Sequence, residues 1–126
     1  MGKILIVDDE PDIQYMVKLI LEKDGHEVIT ALNYKECFER LNEVTPDLIL
    51  MDVLLPDIDG WEACKRIKEE DRTKDIPVVI FTVKASEEEV KKSYEYARCD
   101  FHLCKPYSVE ELIKIVNSRV KRLEQT

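Results

Sequence analysis

Five short apolar runs alternate with five longer amphipathic ones along this chain, and that alternation constrains its fold more than any other feature. Lys3–Val7 (KILIV), residues 26–30, residues 47–51, residues 77–81 (PVVIF) and Phe101–Cys104 have the length and apolar content of strands. Between them lie helical patterns with start and stop signals. Residues 12–23 carry Ile13, Met16, Val17, Ile20 and Leu21 at helical spacing, with Pro11 suited to the first helical position and Asp24-Gly25 as the stop. Asn33-x-x-Glu36 caps a short second helix, and a third follows Gly60. Ser86-x-x-Glu89 and Ser108-x-x-Glu111 are capping boxes. The first opens a helix reaching about Ala97; the second opens one that buries Val109, Leu112, Ile113, Val116 and Val120. Strictly alternating strands and helices imply an α/β fold, a doubly wound parallel sheet with helices on both faces.

In such a fold the binding crevice lies outside the carboxyl ends of the strands. Asp8, Asp9 and Glu10 follow the first strand, Asp52 the third, Thr82 the fourth and Lys105 the fifth. Asp52 is the anomaly among them. It sits inside LILMDVLL, where seven of eight residues are apolar, and a carboxylate there is costly unless something pairs with it.

The chemistry of the set is specific. Clustered carboxylates repel and raise one another's pKa, and a hard dication relieves that. An incomplete, oxygen-only cage suits Mg²⁺, which keeps several waters. Thr82 supplies a hydroxyl and Lys105 a compact positive charge, both suited to phosphate. Asp52 therefore reads as a nucleophile toward phosphorus.

Bulk properties narrow the partners. The 126 residues, without repeat or Pro/Ser-rich linker, read as one domain over 1–126. A net charge of −8 disfavours nucleic acid and anionic membranes as direct partners. Cys37, Cys64, Cys99 and Cys104 form no C-x-x-C pair, which points to reduced, structural thiols. With no signal peptide, and no apolar run near the roughly 18 residues a membrane span needs, the expected location is the cytoplasm.

Four motifs in order, ILIVDDEP (4–11), DLILMDVLLPDIDGWE (47–62), PVVIFT (77–82) and CKP (104–106), make the chain resemble the receiver domain of two-component response regulators over nearly its whole length. The resemblance implies a flavodoxin-like (βα)5 fold with strand order 2-1-3-4-5. It implies that Asp52 accepts a phosphoryl group from a sensor histidine kinase, a phosphotransfer protein or a small phosphodonor. Asp9, Asp52 and the Leu54 carbonyl would bind Mg²⁺ directly and Asp8 through water; Thr82 and Lys105 would contact the phosphoryl oxygens. Pro56 and Gly60 match the family's loop, and Lys105–Pro106 is expected to be cis, a form open to X–Pro bonds. Phosphorylation would shift the face built by the fourth helix, fifth strand and fifth helix toward a state that binds an output protein or domain, or a second copy.

Several positions depart from the family pattern. His102 stands where the switch aromatic is usually Tyr or Phe. Either imidazole does the ring's work, or its charge near pH 6.5 couples signalling to pH. Val83 narrows access to Asp52, and Arg98 sits where Gly is common, so the exit of the fourth helix should differ. Leu54 and Lys84 flank the site, and apolar Leu54 cannot orient an attacking water, which predicts a persistent phospho-aspartate. Trp61 is expected to be partly exposed, Tyr94 buried with Val90 and Ala97, and Tyr96 outward; Ile115, off the last helix's stripe, hints at a dimer contact. Glu87–Glu89 serves the helix dipole.

Two other classes compete. A phosphatase resembling the haloacid dehalogenase group shares the Asp nucleophile, Mg²⁺, Thr and Lys, but needs a second Asp where Leu54 stands. An FMN carrier would need a Ser/Thr/Gly-rich phosphate loop after the first strand, and DDEPD is its opposite in charge. The 126 residues leave open whether this is a stand-alone receiver or part of a longer regulator.

Overall fold

The computed structural model describes residues 2–124; Met1, Gln125 and Thr126, within the expected span 1–126, lie outside the described residues. Five parallel strands, β1 (Lys3–Val7), β2 (Glu27–Ala31), β3 (Leu48–Met51), β4 (Val78–Thr82) and β5 (Phe101–Cys104), form one sheet in the order β2-β1-β3-β4-β5. Helices α1 (Pro11–Lys23), α2 (Tyr34–Glu43), α3 (Gly60–Glu69), α4 (Glu87–Glu95) and α5 (Val109–Glu124) connect and follow them. The expected doubly wound (βα)5 architecture and strand order are both found. β2, β3 and β4 begin one residue later than the sequence indicates, and β2 and β4 end one later.

Strand side chains alternate between two cores, as the pleat requires. Leu5, Val7, Ile49, Met51, Val78 and Ile80 meet α2 and α3 through Cys37, Leu41, Ala63, Cys64 and Ile67. Ile4, Ile6, Leu48, Leu50, Val79 and Phe81 meet α1 and α5 through Val17, Leu21, Leu112 and Val116. Cys37, Cys64, Cys99 and Cys104 are all free thiols. Burial pushes the Cys37, Cys64 and Cys99 thiols up to about 12. His26, just before β2, is buried: Nδ1 accepts from the Gly2 amide and Nε2 lies 2.8 Å from Asn117 Oδ1, joining the start of the sheet to α5.

The caps form as their residues dictate. Asn33 accepts from the Glu36 amide, Asp59 from the Glu62 amide, and Ser86 and Ser108 each exchange two bonds with the Glu three residues on. Among the described residues, no helix is long and apolar enough to cross a membrane.

Four expectations about side chains need correction. Trp61 is buried, because α4 lies over it and Ser93 accepts its Nε1–H at 2.9 Å. Tyr94 is 41% exposed; Ser93 takes the inward position on α4 instead. On α1 the buried stripe is Gln14, Val17 and Leu21, which leaves Met16 outside, and on α5 Val109 is exposed. Arg98, just after α4, adopts φ 60°, the left-handed conformation that favours glycine. Tyr96 faces outward as expected, its hydroxyl donating to Glu62, and Ile115 packs half-buried against the α1–α5 core.

Candidate functional site

Each candidate residue at the sheet's carboxyl edge is fixed first through its own backbone. The Asp52 amide donates to Val7 O at 2.9 Å, the Asp8 amide to Ala31 O at 3.1 Å, and the Lys105 amide to Thr82 O at 2.9 Å. The strand ladder thus runs one step into the site residues and aims their side chains at the crevice. The Lys105–Pro106 peptide is cis.

Lys105 ties the first strand to the third. Its Nζ lies 3.0 Å from Asp8 Oδ2 and 3.2 Å from Asp52 Oδ2, and 4.4 Å from the centre of the Phe81 ring. Asp8 and Asp52 are both buried, so this cation answers the question of what pairs with a carboxylate in an apolar strand. Asp52 Oδ1 also accepts from the Leu54 amide, and Asp8 Oδ1 from the Glu10 amide. Burial raises the Asp8 pKa, against the Glu10 amide and Lys105, which pull it down. Burial also opposes the charge on Lys105, but Asp52 and Asp8 outweigh it and hold that pKa above the ordinary lysine value.

Asp8, Asp9 and Glu10 offer carboxylate oxygens that all lie within 4.8 Å of one another, with Asp9 and Glu10 exposed. This all-oxygen, half-open donor set fits a hard dication that keeps part of its water. Asp52 is linked to this group through Lys105 and Asp8. Thr82 is buried, and its Oγ1 accepts from the Lys84 amide at 3.3 Å. Leu54 and Val83 are exposed apolar residues in the loops that follow β3 and β4.

The loop after β3 is clamped at two points. Gly60 approaches so closely that a Cβ there would lie 2.0 Å from the Asp52 carbonyl oxygen, which is why this position excludes a side chain. Asp57, one residue after Pro56, reaches across to the start of α2 and accepts from the Tyr34 and Lys35 amides as well as that of Ile58. Burial works to raise the Asp57 pKa, but these amides prevail and lower it.

His102 faces inward from β5. Its Nδ1 lies 2.8 Å from Ser93 Oγ, its amide donates to the Tyr94 hydroxyl, and its buried Nε2 has no hydrogen-bond partner among the described residues. Burial lowers its pKa, against smaller upward pulls from the Lys84 backbone and Glu89. Its charge therefore develops below the range near 6.5 that its sequence position raised.

Gln14, Asp57 and Ser93 were not singled out by sequence. Gln14 had a readable signal, since it falls in register with Val17 and Leu21 on the buried face of α1.

The description "response regulator receiver domain" belongs to the family model that matches residues 4–117. The chain belongs to that family. The receiver is 37% identical over 121 residues to the phosphate regulon transcriptional regulatory protein PhoB of Escherichia coli, covering 96% of this chain and 52% of PhoB. It thus spans about half the length of the curated relatives of that kind. It is 35% identical to protein PilH of Pseudomonas aeruginosa, covering 94% of this chain and 97% of PilH. In three dimensions it resembles the receiver domain of a signal transduction histidine kinase from Syntrophus aciditrophicus, with TM-score 0.93, 32% identity and coverage of 100% and 95%.

Proposed function

We propose that this receiver stores a signal as a phosphoryl group on Asp52. The observation that carries the reading is Asp52 itself: buried at the end of β3, with one carboxylate oxygen on the Leu54 amide and the other on Lys105. An Asp52 oxygen attacks the phosphorus of a phosphohistidine or an acyl phosphate; the new P–O bond forms as the bond to imidazole or acetate breaks. Lys105 follows the charge from carboxylate to phosphoryl oxygen, and the Thr82 hydroxyl supplies a donor on the other side. Asp8, Asp9 and the Leu54 carbonyl would hold Mg²⁺ together with Asp52, and the ion supplies neutralisation of the phosphoryl oxygens. The protein is a carrier, not a turnover enzyme: Leu54 offers no side-chain base to direct water onto the phospho-aspartate.

The output follows from how α4 is held. It buries one side chain, Ser93, so it rests on hydrogen bonds more than on apolar packing. Drawing the Thr82–Lys84 segment toward a phosphoryl group at Asp52 alters the surroundings of His102 and releases α4 to a second position. The donor is a sensor histidine kinase or phosphotransfer protein. The reader of the α4–β5–α5 face is an output domain, a separate protein or a second copy.

The test is intact-mass analysis after incubation with acetyl phosphate and Mg²⁺. Wild type gains one phosphoryl group; Asp52→Ala does not, and neither does wild type in excess chelator. A gain that survives in Asp52→Ala refutes the assignment.

A further inference from the structure

We propose that Gln14, on α1, is a positioning residue for the divalent-cation site; this rests on the receiver reading above. Its buried carboxamide Nε2 donates to two backbone carbonyls, Asp8 O at 2.9 Å and Ala31 O at 2.7 Å. Asp8 O lies one residue beyond β1, where a buried carbonyl without a donor is costly; Ala31 O, on the last rung of β2, already accepts the Asp8 amide and takes Gln14 as a second donor.

The geometry has a direct consequence for the acidic cluster. The Asp8 carbonyl is part of the peptide plane that joins Asp8 to Asp9. Holding that oxygen holds the plane that carries the Asp9 nitrogen and Cα, and so restrains where the Asp9 side chain starts, next to Asp8 and Glu10. The Asp8 amide bonds to the same Ala31 carbonyl, so Gln14 and Asp8 close a ring across the ends of two strands. The Gln14 backbone amide bonds to Glu10 O as the first-turn bond of α1, independently of the side chain. The Gln14 side chain therefore holds the Asp8 end of the turn through its carbonyl, while Lys105, just after β5, holds the Asp8 carboxylate. Outer contacts that orient ligands in this way typically change metal affinity by about 10–100-fold when removed.

Two substitutions separate positioning from charge. Gln14→Met keeps length and removes the donors. Gln14→Glu keeps shape but sets an acceptor against two carbonyls, and it adds a negative charge. By charge alone Gln14→Glu would tighten a dication; by positioning it weakens it. Mn²⁺ binding is measured by the loss of the free-ion paramagnetic resonance signal, with Mg²⁺ as competitor, at equal folded fraction. Both variants are expected to bind about tenfold or more weakly than wild type. Thr73→Val removes a buried hydroxyl bond to Ile67 O in the α3–β4 connection and serves as a control for simple destabilisation; it should bind Mn²⁺ as wild type does. In acetyl phosphate assays the half-saturating Mg²⁺ concentration rises for both Gln14 variants, while the rate at saturating Mg²⁺ recovers. Wild-type affinity in both variants, tighter binding by Gln14→Glu, or equal weakening by Thr73→Val overturns the proposal. Absence of Mn²⁺ binding by wild type itself would overturn the receiver chemistry beneath it.

Discussion

Ser93 Oγ and His102 Nδ1 lie 2.8 Å apart, and the same hydroxyl accepts the Trp61 Nε1–H at 2.9 Å. Three side chains from α3, α4 and β5 thus form one buried polar line. Ser93 is the residue α4 buries, so this line, more than apolar area, seats the helix. Ser93→Ala strips the partner from both an indole N–H and an imidazole nitrogen. It should cost about 1–3 kcal/mol in urea denaturation and raise amide exchange selectively in α4. A global rise without α4 selectivity would mean the helix is held by something else.

The same contact sets a pH dependence with a definite sign. Burial lowers the His102 pKa below the unfolded value of 6.5, so the native state binds fewer protons than the unfolded one. The stability associated with neutral His102 is fully present above 6.5 and is lost as pH falls through the lower, native-state pKa. Facing groups are Glu89 of α4, the Lys84 backbone of the β4–α4 loop and the Tyr94 hydroxyl. The stability difference between wild type and His102→Phe should therefore fall from pH 7 toward acid and stay flat above it. A difference that grows toward acid would reverse the sign and refute the assignment.

Gly60→Ala tests the clamp on the loop after β3. The new Cβ would meet the Asp52 carbonyl oxygen at 2.0 Å and Val53 Cα at 2.8 Å, both backbone, so Asp52 or the start of α3 must move. Destabilisation of at least about 1–3 kcal/mol is expected. Phosphorylation of Asp52 by acetyl phosphate should slow by roughly a hundredfold, as small misplacements of reacting groups do. Wild-type kinetics would show that the loop relaxes away from the reacting carboxylate.

Arg98→Gly should stabilise the protein. Arg98 holds φ 60°, which costs an L-residue about 1–2 kcal/mol, and glycine removes that cost while adding about 0.5–1 kcal/mol of unfolded-state entropy. The 3.8 Å pairing of Arg98 with half-exposed Glu69 offsets little. The net gain, about 0.5–1 kcal/mol, is read from denaturation midpoints; a loss would show that the Arg98 side chain contributes more than its contacts indicate.

These residues also show where sequence is and is not informative. The parallel sheet and the convergence of Asp8, Asp52 and Lys105 were legible because apolar runs with charges just beyond them alternate with helices, whereas the strand order came from the family resemblance. Helix rotation was less legible. From Val90, both position 93 and position 94 fall on the same helical face, and hydrophobicity favours Tyr94; hydrogen bonding to Trp61 and His102 places Ser93 inward. Gln14 likewise takes the inward place that hydrophobicity would give Met16, because its carboxamide supplies the donor for Asp8 O and a second one for Ala31 O. Asp57 bonds to amides more than twenty residues away, a tertiary relation with no local signature. Polar satisfaction decided each of these, and only for Gln14 did helical register carry a signal beside it.

Lys105 and a bound dication answer to the same carboxylates, which makes their energetics reciprocal. With the Lys105 ammonium 3.0 Å from Asp8 and 3.2 Å from Asp52, Lys105→Met leaves two buried acids facing one another without a cation. In chelator, breaking such a pair costs about 3–5 kcal/mol. Mg²⁺ then restores part of the missing charge, and it does so without competing against Lys105, so the variant binds the ion more tightly and gains more stability from it. The thermal midpoint should therefore rise further on adding millimolar Mg²⁺ in Lys105→Met than in wild type, even though the variant no longer accepts phosphate efficiently. An equal or smaller rise would mean that the ion sits away from the Asp8–Asp52 pair, on Asp9 and Glu10 alone.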